Sequence, residues 1–196
     1  MEFWLIISPK LSRGANCIKW IKWEKPDLNW YMLNTDGSSI GNPSKSGGGV
    51  IIRNHLGDWI GGSARCIGTT SSIIAELWAL RDSLNLCIQL QISHLLIEID
   101  ASFIVDMLNC DNRSSKYLSP LIDDCRVFLG KIPHHKIQHC FREANRYADN
   151  LAKKGADMEQ DFISFVNPPD CIIEQIRLDA LGTVYCRHCC GNALTL

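Results

Sequence analysis

Apolar and polar positions recur along the middle of the chain with periods that predict its elements. "WYMLNTD", ending in Asp36, has the look of a strand, the run Gly47 to Gly49 that of a bend into "VIIRN", and "HLGD" that of a hairpin turn into "WIGGSARCIG". Three antiparallel strands in succession are the consequence. In "TTSSIIAELWALRDSLNLCIQL", Ile73, Leu77, Leu80, Leu84 and Ile88 recur at spacings of four, three, four and four, one face of a helix opened by a Ser cap. "HLLIEID" is a short apolar run ending in Asp100, a buried strand parallel to the first and reached by the helical crossover. "ASFIVDMLN" and "KYLSPLIDDCRVFL" show helical spacing, the second through Leu118, Ile122, Cys125 and Leu129. "HKIQHCF" supplies a last strand and "REANRYADNLAKKGA" a last helix with Ala144, Ala148 and Leu151 inward. The order predicts an α/β layer fold with a mixed sheet.

The flanks are less regular. Residues 1–28 read as a leader or linker, 29–156 as the folded domain and 157–196 as a C-terminal extension. In the leader, Trp20 and Trp23 mix with Lys19, Lys22 and Lys25, a composition that suits a nucleic-acid strand. A linker or a cover for a strand edge is the commoner use of such a segment and is the reading preferred here. "FISFV" in the extension either packs back on the domain or faces a partner.

Composition narrows the class. A chain of 196 residues, 46% hydrophobic, buries one good core with room for flanking segments. No run reaches the roughly 18 apolar residues of a membrane span, and "MEFWLIISPK" lacks a basic n-region and a small-residue cleavage site. An intracellular protein is expected, nuclear or cytoplasmic. Most of the ten cysteines are spread singly through apolar patterns and read as small buried hydrophobes in a reducing compartment. "CRHCCG" gathers Cys186, His188, Cys189 and Cys190, but no second pair stands nearby to complete a zinc site, and free thiols are expected. His55, His94, His134 and His135 show no ligand spacing and read as surface or loop residues, and Trp78 reads as core or groove packing. The net charge of −1 offers no global attraction for a polyanion, so such a partner needs a local patch or metal ions.

The acids carry the chemistry. Asp36 ends the first strand and Asp100 the fourth, Glu76 lies in the first turn of the long helix, and Asp149 sits on the last helix. Parallel neighbours deliver their ends to one sheet edge, so the four can converge. Taken singly, each has an ordinary use as turn starter, helix-dipole partner, cap or solvated charge. Together they repel and resist desolvation unless hard divalent cations neutralise them. Two such ions about 3.5–4 Å apart suit in-line displacement at a phosphodiester.

"NTDGS", "AELWAL", "IEIDAS" and "REANRYADNLAK", in this order and spacing, resemble the ribonuclease H type 1 family, and within it the plant reverse-transcriptase-associated branch of non-LTR retroelements. The resemblance covers roughly residues 20–182, including "PPDCIIEQIRLDALG". It implies a ribonuclease H-like fold of five strands with flanking helices and endonucleolytic cleavage of the RNA strand of an RNA–DNA hybrid, by a monomer using two Mg²⁺ (or Mn²⁺) ions. By motif, Asp36 would bridge both ions, Glu76 and Asp100 would complete the first site and orient the attacking water, and Asp149 would hold the second. Arg142, or His139 ten positions before Asp149, would be the auxiliary basic residue, and Arg142 is preferred because it shares a helix face with Asn145 and Asp149. Gly37, Ser38, Ser39, Ser71, Ser72 and Asn145 would meet the substrate, the first three near the RNA 2′-hydroxyls. Ile73 stands where a polar residue is common, and "CDNRSSKY" lacks the family's basic protrusion, which implies weak hybrid affinity at physiological salt. A domesticated retroelement domain that binds nucleic acid or protein without turnover is the alternative. A proofreading exonuclease is disfavoured by Ser38, where that class resembles an Asp-x-Glu pattern.

Overall fold

The computed structural model describes residues 17–109 and 117–189. The apolar opening segment, the charge-balanced stretch 110–116 and Cys190 lie outside the described residues. Strand β1 (Cys17–Ile21) is followed by β2 (Tyr31–Ser39), β3 (Ser44–Arg53) and β4 (Trp59–Thr70), then by helix α1 (Ser72–Gln89). Next come β5 (His94–Ile99), α2 (Ser102–Asn109), α3 (Ser119–Leu129) and β6 (His134–His139). A 3₁₀ turn (Arg142–Ala144) leads to α4 (Arg146–Asp157), and β7 (Phe162–Phe165), α5 (Asp170–Ala180) and β8 (Tyr185–Cys189) follow.

The main sheet runs β6-β5-β2-β3-β4-β7. Strands β2, β3, β4 and β7 pair antiparallel, and β2, β5 and β6 pair parallel. The five expected strands are therefore β2 to β6, and the tail adds a sixth at the edge. On one face, Leu33, Val50, Ile52 and Ile97 meet Leu77, Leu80 and Leu84 of α1, with α2 and α3 closing the core through Ile104 and Ile122. The other face holds a smaller cluster in which Ile51 meets Tyr147 and Leu151 of α4 and Ile172 of α5.

Several local expectations are corrected. Gly47 to Gly49 do not bend the chain but lie inside β3, where helices press on both faces. A Cβ on Gly47 or Gly49 would sit 2.1 Å from Ala156 N or 2.2 Å from Ala148 O of α4, and one on Gly48 would lie 3.1 Å from the Ala79 Cβ of α1. Likewise Asp36 does not end its strand, because β2 continues through Ser39. On α1, Ile73 is 40% exposed, and the buried stripe starts instead with Ala75 and Leu77. Ser71 occupies the N-cap without a side-chain hydrogen bond, and Glu76 lies beyond the first turn. The last helix is interrupted at Asn145, so Arg142 belongs to the 3₁₀ turn rather than to a helical face shared with Asp149. His94 and His134 open β5 and β6 as register partners, their rings stacked at 4.5 Å, with His134 at the surface as expected.

Leader and tail meet. Strands β1 and β8 form an antiparallel two-stranded ribbon with Ile18 opposite His188, Lys19 opposite Arg187 and Trp20 opposite Cys186. After β1, Trp23 is buried with the Arg53 guanidinium 3.6 Å from its ring centre, and Arg53 is also paired at 2.9 Å with the buried Asp179 of α5. "FISFV" supplies β7, so it packs on the domain. Cys87, Cys125 and Cys140 are buried free thiols. No helix among the described residues is long and apolar enough to cross a membrane.

Candidate metal centre

The parallel register sets the site. Thr35 of β2 pairs with Ile99 of β5, so the next residues, Asp36 and Asp100, stand side by side where the ladder ends. Glu76 reaches them from α1, which crosses β2 at Gly37. A Cβ there would lie 2.1 Å from the Glu76 backbone nitrogen, so only glycine lets the helix approach this closely. Ligand atoms of Asp36, Glu76 and Asp100 lie within 4.8 Å of one another. Burial and the neighbouring Asp100 and Asp149 carboxylates push Asp36 up to about 8, and burial with Asp36 beside it drives Glu76 well above the usual carboxylate range. Asp100 is raised by burial although Arg142 opposes the shift, and it shares a hydrogen bond with Asp36. Asp36 Oδ2 and Glu76 Oε2 are buried with no hydrogen-bond partner.

Asp149 enters from α4 and lies near enough to act on both Asp36 and Asp100, but its oxygens are engaged. Arg142 Nη2 donates to Oδ1 at 2.9 Å and Lys153 Nζ to Oδ2 at 2.6 Å. Lys153 was not singled out from the sequence, although a lysine four positions after an aspartate on a helix is a standard pairing signal. His139 closes β6 in register with Ile99 and lowers the pKa of the adjacent Asp100, and its ring meets Phe141 edge-on at 5.5 Å. The three acids thus form the tight group, and Arg142 and His139 both stand near enough to act on Asp100.

The expected substrate residues divide. The Gly37 backbone nitrogen donates to the Glu76 carboxylate, and Ser39 Oγ donates to Gly41 O at 2.6 Å and Thr70 O at 3.1 Å. Ser38, Ser71 and Ser72 are half-buried along the same rim, with the Ser72 backbone nitrogen donating to Asn42 Oδ1 at 3.3 Å. Asn145 is different. It is fully buried and its Nδ2 donates to Thr35 O at 3.0 Å, so it fastens the start of α4 to β2 and has no surface to offer a substrate. Behind the acids, on the same face of the strands, Glu98 accepts from Asn34 Nδ2 at 2.8 Å and from Gln138 Nε2 at 2.9 Å, and Asn34 Oδ1 accepts from Arg53 Nη2 at 2.7 Å. Sequence reasoning missed this buried relay. The available signal was the period of two, which puts Asn34 with Asp36 and Glu98 with Asp100.

An edge cluster of three acids with two orphaned oxygens fits a hard divalent cation: it offers only carboxylate oxygen, the donor type Mg²⁺ takes. Residues 34–155 match the reverse transcriptase-like family. An Arabidopsis thaliana protein that carries the name of a ribonuclease H is 36% identical over 163 residues, which is 83% of this chain and 26% of that protein. The chain therefore spans about a quarter of this relative. Among solved structures, the Halobacterium salinarum ribonuclease H1 and the N-terminal ribonuclease H domain of a Mycobacterium tuberculosis protein each give a TM-score of 0.62 at 22% identity. Both cover 65% of this chain and, respectively, 98% and 94% of their own. A ribonuclease H1 isolated from compost, solved with an RNA/DNA hybrid, gives 0.60 at 25% identity, covering 65% and 96%.

Proposed function

The chain belongs to the reverse transcriptase-like family and carries a ribonuclease H domain, and from that premise we propose that it hydrolyses the RNA strand of RNA–DNA hybrids endonucleolytically with divalent metal. The observation that carries this reading is the group of three carboxylates within 4.8 Å at the sheet edge, two of whose buried oxygens lack a partner. In this reading the cofactor is Mg²⁺ or Mn²⁺, two ions per site, which supply an activated water and neutralise charge at the leaving oxygen.

The protein's own side chains have distinct tasks. Asp36, on which both Asp100 and Asp149 act, would serve both ions. Glu76 and Asp100 would complete the first site and help orient the attacking water. Asp149, whose oxygens accept from Arg142 and Lys153, would hold the second. Arg142, in contact with Asp149, would be the auxiliary basic residue; His139, which acts on Asp100, is the competitor. The rim of Gly37, Ser38 and Ser39, faced by Ser71 and Ser72, is where the RNA 2′-hydroxyls would be read.

The same grip on Asp149, together with the exposed apolar Ile73 beside the rim, favours a second reading in which the domain binds a hybrid without turnover. An end-labelled hybrid incubated with wild type and Asp100→Asn in Mg²⁺, Mn²⁺ and EDTA separates them. Metal-dependent cutting of the RNA strand alone, reduced by orders of magnitude in the variant, is expected. An intact hybrid, where a control ribonuclease H cuts, overturns the catalytic reading.

A further inference from the structure

The β1/β8 ribbon, built from segments outside the matched family region, lies against the stretch that leads into the candidate catalytic helix. Lys19 and Arg187 are register partners, and their cationic groups stand 5.1 Å and 4.9 Å from the centre of the Phe141 ring. Arg146, the first residue of α4, places its guanidinium 4.2 Å from the centre of the Tyr185 ring of β8. Arg142, Glu143, Arg146, Asp149 and Arg187 line one depression of about 270 Å³. Asp149 thus both acts on the acids of the cluster and walls this depression.

Charge within it is unevenly used. Arg187 Nη1 donates to both Glu143 oxygens, at 2.9 Å and 3.2 Å, and Arg142 holds Asp149. Lys19 and Arg146 form no ion pair among the described residues. Three cations, Arg142, Arg146 and Arg187, therefore line it against two carboxylates, with Lys19 opposite Arg187 on the ribbon, and a metal ion on Asp149 would free Arg142 as well. A chain of net charge −1 has no global field to hold a polyanion, so a local excess beside the site where a phosphodiester must lie is what backbone recognition needs. Guanidinium groups carry the forked donors that match phosphate oxygens.

We propose that the ribbon is an accessory nucleic-acid subsite in which Lys19, Arg146 and Arg187 hold backbone phosphates of the substrate next to Asp149. It joins the two flanking segments into one grip on the hybrid. The proposal rests on the hybrid being the substrate.

The test uses the full chain with Asp100→Asn in Mg²⁺, so that a labelled RNA–DNA hybrid is bound uncut, and reads affinity by fluorescence anisotropy across salt concentrations. Lys19→Gln, Arg146→Gln and the triple change with Arg187→Gln are compared. Lys19→Gln and Arg146→Gln break no ion pair, and thermal melting confirms folding of each. Each single change is expected to weaken binding several-fold and to flatten the slope of log K on log salt by about 0.9, the value for one phosphate neutralised. The triple change flattens it by more, and in the otherwise wild-type enzyme it raises KM far more than it lowers kcat. An unchanged slope and affinity in the folded single variants overturn the subsite, including the case in which the patch serves an acidic protein instead. Should the wild type bind with the expected slope but never cut, the subsite stands and the catalytic reading falls.

Discussion

Asp36 concentrates the electrostatic cost of the site in one residue. Its carboxyl is raised from the ordinary 3.8 to about 8, first by burial and then by Asp100 and Asp149. Between those values the folded chain holds a proton that the unfolded chain releases. The metal-free protein is therefore expected to lose stability as pH rises from about 4 to about 8. Thermal melting in EDTA at pH 5.5 and pH 8.5 checks this: the melting temperature falls with pH in wild type and much less in Asp36→Asn, which removes the charge and is the more stable at the upper pH. Mg²⁺ competes with the proton for the same oxygens, so it raises the wild-type melting temperature more at pH 8.5 than at pH 5.5. A melting temperature that is flat with pH in EDTA contradicts the burial argument. All four acids were legible because the hydrophobic pattern locates the strands and helices that carry them, although β2 runs on past Asp36 and Glu76 stands beyond the first turn of α1. The residues that hold Asp149 were only half legible. Arg142 emerged from a motif and for the wrong geometric reason, since the chain at Asn145 is not helical, while Lys153 went unnoticed among the lysines of an apparently solvated face.

At the scale of elements, the sheet edge works because helices come close to it, and glycines decide how close. Gly49 lies opposite Asp36 in the β2/β3 ladder, with α4 directly above it. Gly49→Ala drives a methyl group to within 2.2 Å of Ala148 O, forcing α4 and with it Asp149 away from Asp36. A loss of about 3 kcal/mol is expected, at the upper end of overpacking costs, with metal affinity falling alongside. Gly68, at φ +81° with open space around it, provides the comparison. Ala there strains only the backbone, by about 1 kcal/mol, and leaves metal binding unchanged. Urea denaturation and metal titration calorimetry on the two variants read both quantities, and equal losses would refute close packing as the reason for the glycine run. The sequence suggested a bend at these glycines because turns are where the residue is most often required. Nothing local distinguishes a glycine chosen for its backbone angles from one chosen because a helix fills the space, and only the pairing of β3 between α1 and α4 reveals the second cause. The helices themselves were legible wherever the apolar stripe was long, as at Leu77, Leu80 and Leu84, and misplaced at the end where Ile73 continues the period into solvent.

At the scale of the whole molecule, leader, domain and tail converge on Arg53. Its guanidinium lies 3.6 Å from the centre of the Trp23 ring and 4.7 Å from that of Tyr147, donates to Asn34 and pairs with Asp179. The cation is 1% exposed, so the carboxylate brought by α5 is what makes its burial tolerable. Sequence reading placed a boundary at 156 because the pattern of the ribonuclease H-like domain ends there, and the long separation between Arg53 and Asp179 leaves no local trace. Asp179→Ala strands a buried charge and is expected to cost about 3–5 kcal/mol. Ending the chain at Asp157 removes the same partner together with β7 and uncovers Ile51, so the shortened protein should melt lower still. Replacing both ends with apolar residues, Arg53→Met with Asp179→Leu, recovers much of the loss, because the pair's value lies in mutual neutralisation rather than in net attraction. Recovery stays incomplete, since Asn34 then loses its donor and the Glu98 relay beneath Asp36 and Asp100 is loosened. A double-mutant cycle by urea denaturation measures this. Additive losses would show that Arg53 and Asp179 are independent, and that the tail is an attachment rather than part of what holds the acid-bearing strands in register.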